Sequence, residues 1–226
     1  MRIARCVRVS VRGFTLLELS ISLAIMGIMM GVLLSNYPET AVRLALINTS
    51  HTISLLVREG QVRGSAVDSG NASLTEESPI GGYGVYAEII TPNTIILFSD
   101  MVDASVAKPF GLAVGDGLYQ TTPINETSRI TTLPSKYKIA KLCVGTGFPF
   151  TCNTANVPSI STLTISFTRP NPQPDVYING VKTTNFSAAC IELHSPRAPS
   201  VGHIRSVQVF NSGMIRTQNG RCDNSS

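Results

Sequence analysis

Histidine is scarce in this 226-residue chain, with three copies, and charged residues make up only 14% of it. His51, His194 and His203 lie far apart, and none has a partner at metal-site or catalytic-triad spacing. There is no G-x-S-x-G elbow, no H-E-x-x-H pair and no phosphate-binding loop. The five cysteines contain no C-x2-C spacing, which argues against a structural zinc site. The sequence therefore offers no recognisable catalytic constellation, and neither an enzyme nor a cofactor is expected.

What the chain does contain is one long apolar run. Residues 13–34 read GFTLLELSISLAIMGIMMGVLL, and the run from Phe14 to Leu34 is broken by one carboxylate, Glu18. As a helix these residues span roughly 32 Å, about one hydrocarbon core. Placing Glu18 near one end of such a span costs on the order of 2–3 kcal/mol. The acid therefore calls for a cation. Cleavage after Gly13 would create an α-amino group on Phe14, and in a staggered assembly one subunit's amine would meet another's Glu18.

Gly13-Phe14-Thr15-Leu16-Leu17-Glu18 resembles the prepilin peptidase site of type IV pilins and type II secretion pseudopilins. The resemblance implies that Gly13 is the cleavage position, Phe14 the N-methylated residue and Glu18 the carboxylate used in filament assembly. It further implies a prepilin peptidase/methyltransferase, other pilin subunits and an inner-membrane assembly platform as partners. The motif covers little of the chain but is specific.

Residues 1–13 carry Arg2, Arg5, Arg8 and Arg12 and no acid. Basic residues beside an apolar span stay on the cytoplasmic side. A secretory signal would be cut after its apolar region, whereas this cut falls before it. The helix thus stays in the mature protein, a single-pass inner-membrane chain with an exported C-terminal domain before assembly. Loss of the four leader arginines leaves 14 basic and 14 acidic residues. That balance lacks the basic excess of a nucleic-acid-binding domain. Cys6 leaves with the leader, and Cys143, Cys152, Cys190 and Cys222 remain on the exported side, where disulfides are favoured. Cys143–Cys152 would close a loop containing Gly and Pro, and Cys190–Cys222 would pin the tail. Four cysteines allow three pairings, and the sequence does not select one.

The reading divides the chain into a leader (1–13), a membrane or filament-core helix (14–37), the amphipathic second half of that helix (38–64) and a β-rich head (65–226). Pro38 is expected to kink or restart the helix. Beyond it, Val42, Leu46, Ile53, Leu56 and Val57 recur at roughly helical spacing, with Arg43, Arg58, Glu59 and Arg63 on the other face. Gly27 and Gly31 form G-x-x-x-G, which reads equally as a packing face, as ordinary membrane-helix glycine, or as one end of the stretch that unwinds in pilin fibres. Strands are expected at Tyr83–Ile89, Thr94–Ser99, Tyr137–Val144, Leu163–Thr168, Ala188–Leu193, His203–Phe210 and Met214–Gln218, with a hairpin turn at Asn211-Ser212-Gly213. The fold class is α+β, a long N-terminal helix packed on an antiparallel sheet domain of type IV pilin-like form.

Gly82–Tyr86, Ile96–Asp100, Gly115–Tyr119 and Val207–Ile215 resemble segments of H-type pseudopilins, more weakly than the leader does. Some pseudopilins hold calcium in an acidic loop. Asp100, Asp103 and Asp116 are weak candidates here, because the D-x-D-x-D-G frame is absent and Lys108 intervenes. Solvated turn residues are the competing reading. Gly220-Arg221 echoes the DNA-binding tail of some minor pilins, but Cys222 and Asp223 follow and nucleic acid is not expected. The sequons Asn71-Ala72-Ser73 and Asn185-Phe186-Ser187 are expected by chance in so Asn/Ser/Thr-rich a chain. Two functions follow: a structural subunit of a type IV pilus or pseudopilus, or a minor tip subunit that contacts DNA, a surface or a secreted substrate.

Overall fold

The structure is a computed structural model that describes residues 13–66, 80–101, 115–122, 125–147, 150–152, 160–168, 173–200 and 202–222. It comprises two compact units, Met1–Ala41 and Val42–Ser226. One helix, α1 (Leu16–Ser65, 50 residues), contributes to both.

In the first unit the described large apolar side chains are all exposed, from Phe14 through Leu34 to Tyr37. A helix that is apolar all round has no solvent face to offer, so its surroundings must be lipid or other apolar helices. It is long and apolar enough to cross a membrane. Pro38 lies inside α1 and does not divide it. Proline fits helical φ and removes one backbone donor, a local loss that the hydrogen bonds on either side outweigh.

In the second unit α1 is amphipathic. Leu46, Thr49, Ser50, Ile53, Leu56, Val57, Gln61 and Gly64 are buried, a stripe with steps of three and four residues. Val42 packs at the edge of the same core. Two antiparallel sheets complete this unit. The first has the order β3 (Thr127–Thr132), β2 (Thr94–Met101), β1 (Ile80–Glu88), β6 (Thr162–Thr168), β7 (Pro174–Ile178), β8 (Val181–Lys182). The second runs β11 (Ile215–Asn219), β10 (Ile204–Phe210), β9 (Ala188–His194), β4 (Lys138–Gly145), β5 (Thr151–Cys152).

Alternation decides which face of each strand enters the core. Val85 lies between Leu97 and Ile165, and Ala87 between Ile95 and Leu163. These residues join Leu46, Ile53, Ile191 and Val207 in one cluster drawn from α1 and both sheets. The α+β arrangement, a long helix whose second half packs on antiparallel sheets, is that of a type IV pilin-like fold. Each of the seven expected strands overlaps an observed one, and β3, β5, β7 and β8 are additional. Asn179 and Gly180, with φ of 50° and 79°, form the tight turn from β7 to β8.

Candidate processing and assembly site

The residues around the expected cleavage point sit at the start of α1. Gly13, Phe14 and Thr15 precede the helix, and Phe14 is 81% exposed. A Cβ placed on Gly13 would meet nothing within 4 Å among the described residues. Thr15 is the N-cap. Its Oγ1 accepts a hydrogen bond from the Glu18 N–H at 3.2 Å, and its carbonyl accepts one from the Leu19 N–H at 3.1 Å. Thr15-Leu16-Leu17-Glu18 is the T-x-x-E of a capping box, a signal that the sequence reading passed over. Glu18 therefore occupies the first turn, where the partial positive charge of the helix end favours an anion by about 0.3–1 kcal/mol. Ser20, Ser22 and Ser35 donate their hydroxyls to the carbonyls of Leu17, Glu18 and Val32, which hides three polar groups within the helix.

A family model for the prokaryotic N-terminal methylation motif matches residues 8–34. The chain carries the processing signal of type IV pilin and pseudopilin precursors. The motif covers the exposed Phe14, the capped first turn and the apolar helix described above. No curated protein and no solved structure matches the chain.

Beyond the motif, the structure brings together some of the head residues singled out in the sequence. Asp100 is buried, and its Oδ2 accepts the Gly117 N–H at 2.9 Å. Asp116 accepts the Leu118 N–H and the Gln120 side-chain amide. Asp103 lies outside the described residues. A third acid, Glu126, joins this loop, and no sequence motif marks it. It accepts the Met101 N–H at 3.0 Å and the Gln120 N–H at 2.7 Å. Burial pushes its carboxyl up to about 7, and the nearby Asp100 and Asp116 add to this, against the lowering effect of the two amides. Asp100 and Glu126 thus tie the 115–122 segment to the end of β2 through backbone N–H groups, and Asp116 braces the segment internally. Among the described residues, no group of three or more His, Cys, Asp or Glu side chains has the placement to hold a metal ion.

Tyr119 of the same segment lies 4.9 Å from Tyr86 and 5.8 Å from Phe98, ring centre to ring centre. The segment therefore covers the outer face of the first sheet. Tyr177, next to this acidic loop, is pushed up to about 12 by burial and by Asp175, Asp100 and Asp116.

Cysteine shapes the outer face of the second sheet. Disulfides join Cys143 to Cys152, with Cα atoms 4.0 Å apart, and Cys190 to Cys222, with Cα atoms 6.0 Å apart. Cys143 and Cys190 are register partners on β4 and β9, so both bridges share one small core with Phe150 and Ala188. The tail is held a second time, where the Cys222 N–H donates to Glu192 Oε2 at 3.1 Å. Burial pushes the Glu192 carboxyl up, but His194, the Cys222 amide and Lys141 outweigh it and hold the group below its usual range. His203 Nδ1 and Ser195 Oγ are 2.8 Å apart and buried, which closes the loop between β9 and β10. His51 is exposed on α1.

Proposed function

We propose that this chain is a structural subunit of a type IV pilus or pseudopilus. A prepilin peptidase cuts it after Gly13 and methylates the new N-terminus at Phe14. Residues 14–37 first hold it in the inner membrane, leader side in the cytoplasm and head exported. Residues 38–64 link that anchor to the head, residues 65–226. Polymerisation then moves the apolar helix from lipid into a bundle of identical or related helices. The reading rests on one observation: the matched methylation motif coincides with a fully exposed apolar helix that begins two residues beyond an exposed Phe14. In the fibre, the methylated amine of one subunit meets Glu18 of its neighbour and sets axial register.

Mass spectrometry of sheared surface fibres and of membranes tests the processing. A terminus at N-methylated Phe14 is expected, and an intact Met1 terminus in cells with an active peptidase would overturn the assignment. Glu18→Ala tests assembly. It should leave insertion and cleavage intact while fibres fail to form, and normal fibres from that variant would remove the role given to Glu18.

A further inference from the structure

We propose that the four head cysteines form an exchange relay. A dithiol reductant opens Cys143–Cys152, the freed Cys143 attacks Cys190, and the C-terminal tail is released at Cys222. The inference stands apart from the polymer reading above. Cys152, Cys143 and Cys190 are consecutive register partners across β5, β4 and β9. Register partners of an antiparallel pair share one face of the sheet, with Cα atoms about 4.5–5.5 Å apart. That spacing falls inside the window of about 4.4–6.8 Å in which two cysteines can be bridged. Cys143 is therefore placed to bond with either neighbour, Cys152 or Cys190, and Cys222 completes the same buried cluster.

Burial sets the direction of the relay. Cys143, Cys190 and Cys222 have no exposed surface, whereas Cys152 keeps 8%. Cys152 also sits on β5, a two-residue strand at the end of its sheet. Such an edge opens locally at lower cost than the inner strands β4 and β9. A thiol from solvent thus reaches Cys152 and is kept from the Cys190–Cys222 bridge. On the other side of Cys190 its register partner is Gln208 of β10. The Gln208 Nε2 is buried and has no hydrogen-bond partner among the described residues. An amide N–H without an acceptor, on the same face beside Cys190, is a donor that a transient thiolate would satisfy.

One thiolate of the dithiol attacks the Cys152 sulfur, forms a mixed disulfide with it and expels the Cys143 thiolate. Cys143 attacks the Cys190 sulfur, the Cys143–Cys190 bond forms, and Cys222 leaves as a thiolate that takes a proton from water. The second thiol of the reductant then attacks the mixed disulfide, closes the reagent into its own disulfide and leaves Cys152 as a thiol. Two electrons pass from the dithiol to the protein, and one of the two protein bridges remains. That bridge joins the inner strands β4 and β9, so the sheet stays closed. The tail loses its covalent hold and keeps the Cys222 N–H on Glu192.

Limiting dithiothreitol on the detergent-solubilised full chain tests this, with free thiols then blocked by a maleimide and the bridges mapped by mass spectrometry. The chain carries Cys6→Ser, which removes the one remaining thiol. The first product is expected to be blocked at Cys152 and Cys222 and to hold a Cys143–Cys190 bond. A first product blocked at Cys143 or at Cys190, or no product until the chain unfolds, would overturn the relay. Two further variants in the same background give a second arm without added reductant. Cys152→Ser leaves Cys143 free beside the buried bridge, and the maleimide should appear at Cys222. Cys143→Ser leaves Cys152 free on the edge strand, and the maleimide should stay on Cys152. Label confined to Cys143 in the first variant, or reaching Cys222 in the second, would sink the proposal.

Discussion

Thr15 Oγ1 accepts the backbone N–H of Glu18 at 3.2 Å, so the first polar contact of the helix links the residue beside Phe14 to the acid of the methylation motif. This relation gives Glu18 a reason to sit in an apolar run before any partner arrives. A capped first turn keeps the carboxylate at the positive end of the helix, where its charge is least costly. It also leaves Gly13 and Phe14 outside the helix.

Thr15→Ala should therefore loosen the first turn. The loss of an N-cap costs about 1 kcal/mol. Thr15→Ser keeps the hydroxyl and should behave as wild type. The expected outcome is unchanged cleavage in both variants, with fibre yield reduced several-fold in Thr15→Ala only. Equal yields from the two would mean that the cap has no part in presenting Glu18.

Gly64 carries a prediction for the head. A Cβ at this position would collide with the Phe167 carbonyl oxygen and come within 2.8 Å of the Phe167 Cβ. Glycine there lets the last turn of α1 lie directly on β6. Gly64→Ala must push the helix end away from the sheet, at a cost of about 1–3 kcal/mol for an overpacked contact. A lowered urea midpoint of the detergent-solubilised full chain is expected. Gly27→Ala, where an added Cβ meets nothing within 4 Å, is the control and should not shift it. An unchanged midpoint for Gly64→Ala would mean that helix and sheet are less closely packed than the structure has them.

The parts of this molecule that were legible in sequence are those governed by period and by short-range chemistry. Val42, Leu46, Ile53, Leu56 and Val57 repeat as a helix face repeats, and all five pack in or against the core. Leu163, Ile165 and Phe167 alternate, and each is buried. The elements that escaped notice lack such a signal or carry a subtler one. β3 reads Thr-Ser-Arg-Ile-Thr-Thr, an exposed edge strand with no apolar alternation. β7 and β8 flank Asn179-Gly180, a hairpin signal carried by two residues alone, with strands too short to show a period. Glu126 and Glu192 could not be picked out, because their importance comes from distant backbone N–H groups, those of Met101 and Cys222. Only folding brings such partners together.

The two disulfides should not be equal in their effect. Cys143–Cys152 spans 9 residues and Cys190–Cys222 spans 32. On the chain-entropy account the longer loop constrains the unfolded chain more, by about 1 kcal/mol. The longer bridge also holds the tail over Glu192, so its loss exposes that buried carboxylate as well. The variant Cys190→Ser with Cys222→Ser should thus lose more stability than Cys143→Ser with Cys152→Ser. Denaturant unfolding of the two double variants gives the order directly, and the reverse order would refute the account.

Glu126 predicts a pH dependence whose sign follows from its burial. Its carboxyl is raised from an ordinary 4.5 to about 7 in the folded head. Between these values the folded chain binds a proton that the unfolded chain does not, so this group's contribution to stability is complete below about 4.5 and fades as pH rises through about 7. Glu192 works in the opposite sense and in another window. Its carboxyl is held below the usual range, so its contribution is present above the ordinary 4.5 and is lost in stronger acid. Denaturant midpoints are to be measured from pH 5 to pH 8 for the wild type and for Glu126→Gln. The wild type should lose more stability across that range than the variant, whose residue 126 does not titrate. The difference in slope is the readout, not the absolute midpoint, because the amide NH₂ of Gln cannot accept from both the Met101 and Gln120 N–H groups. Identical slopes would show that Glu126 is already ionised at pH 5, and that its two backbone hydrogen bonds outweigh its burial.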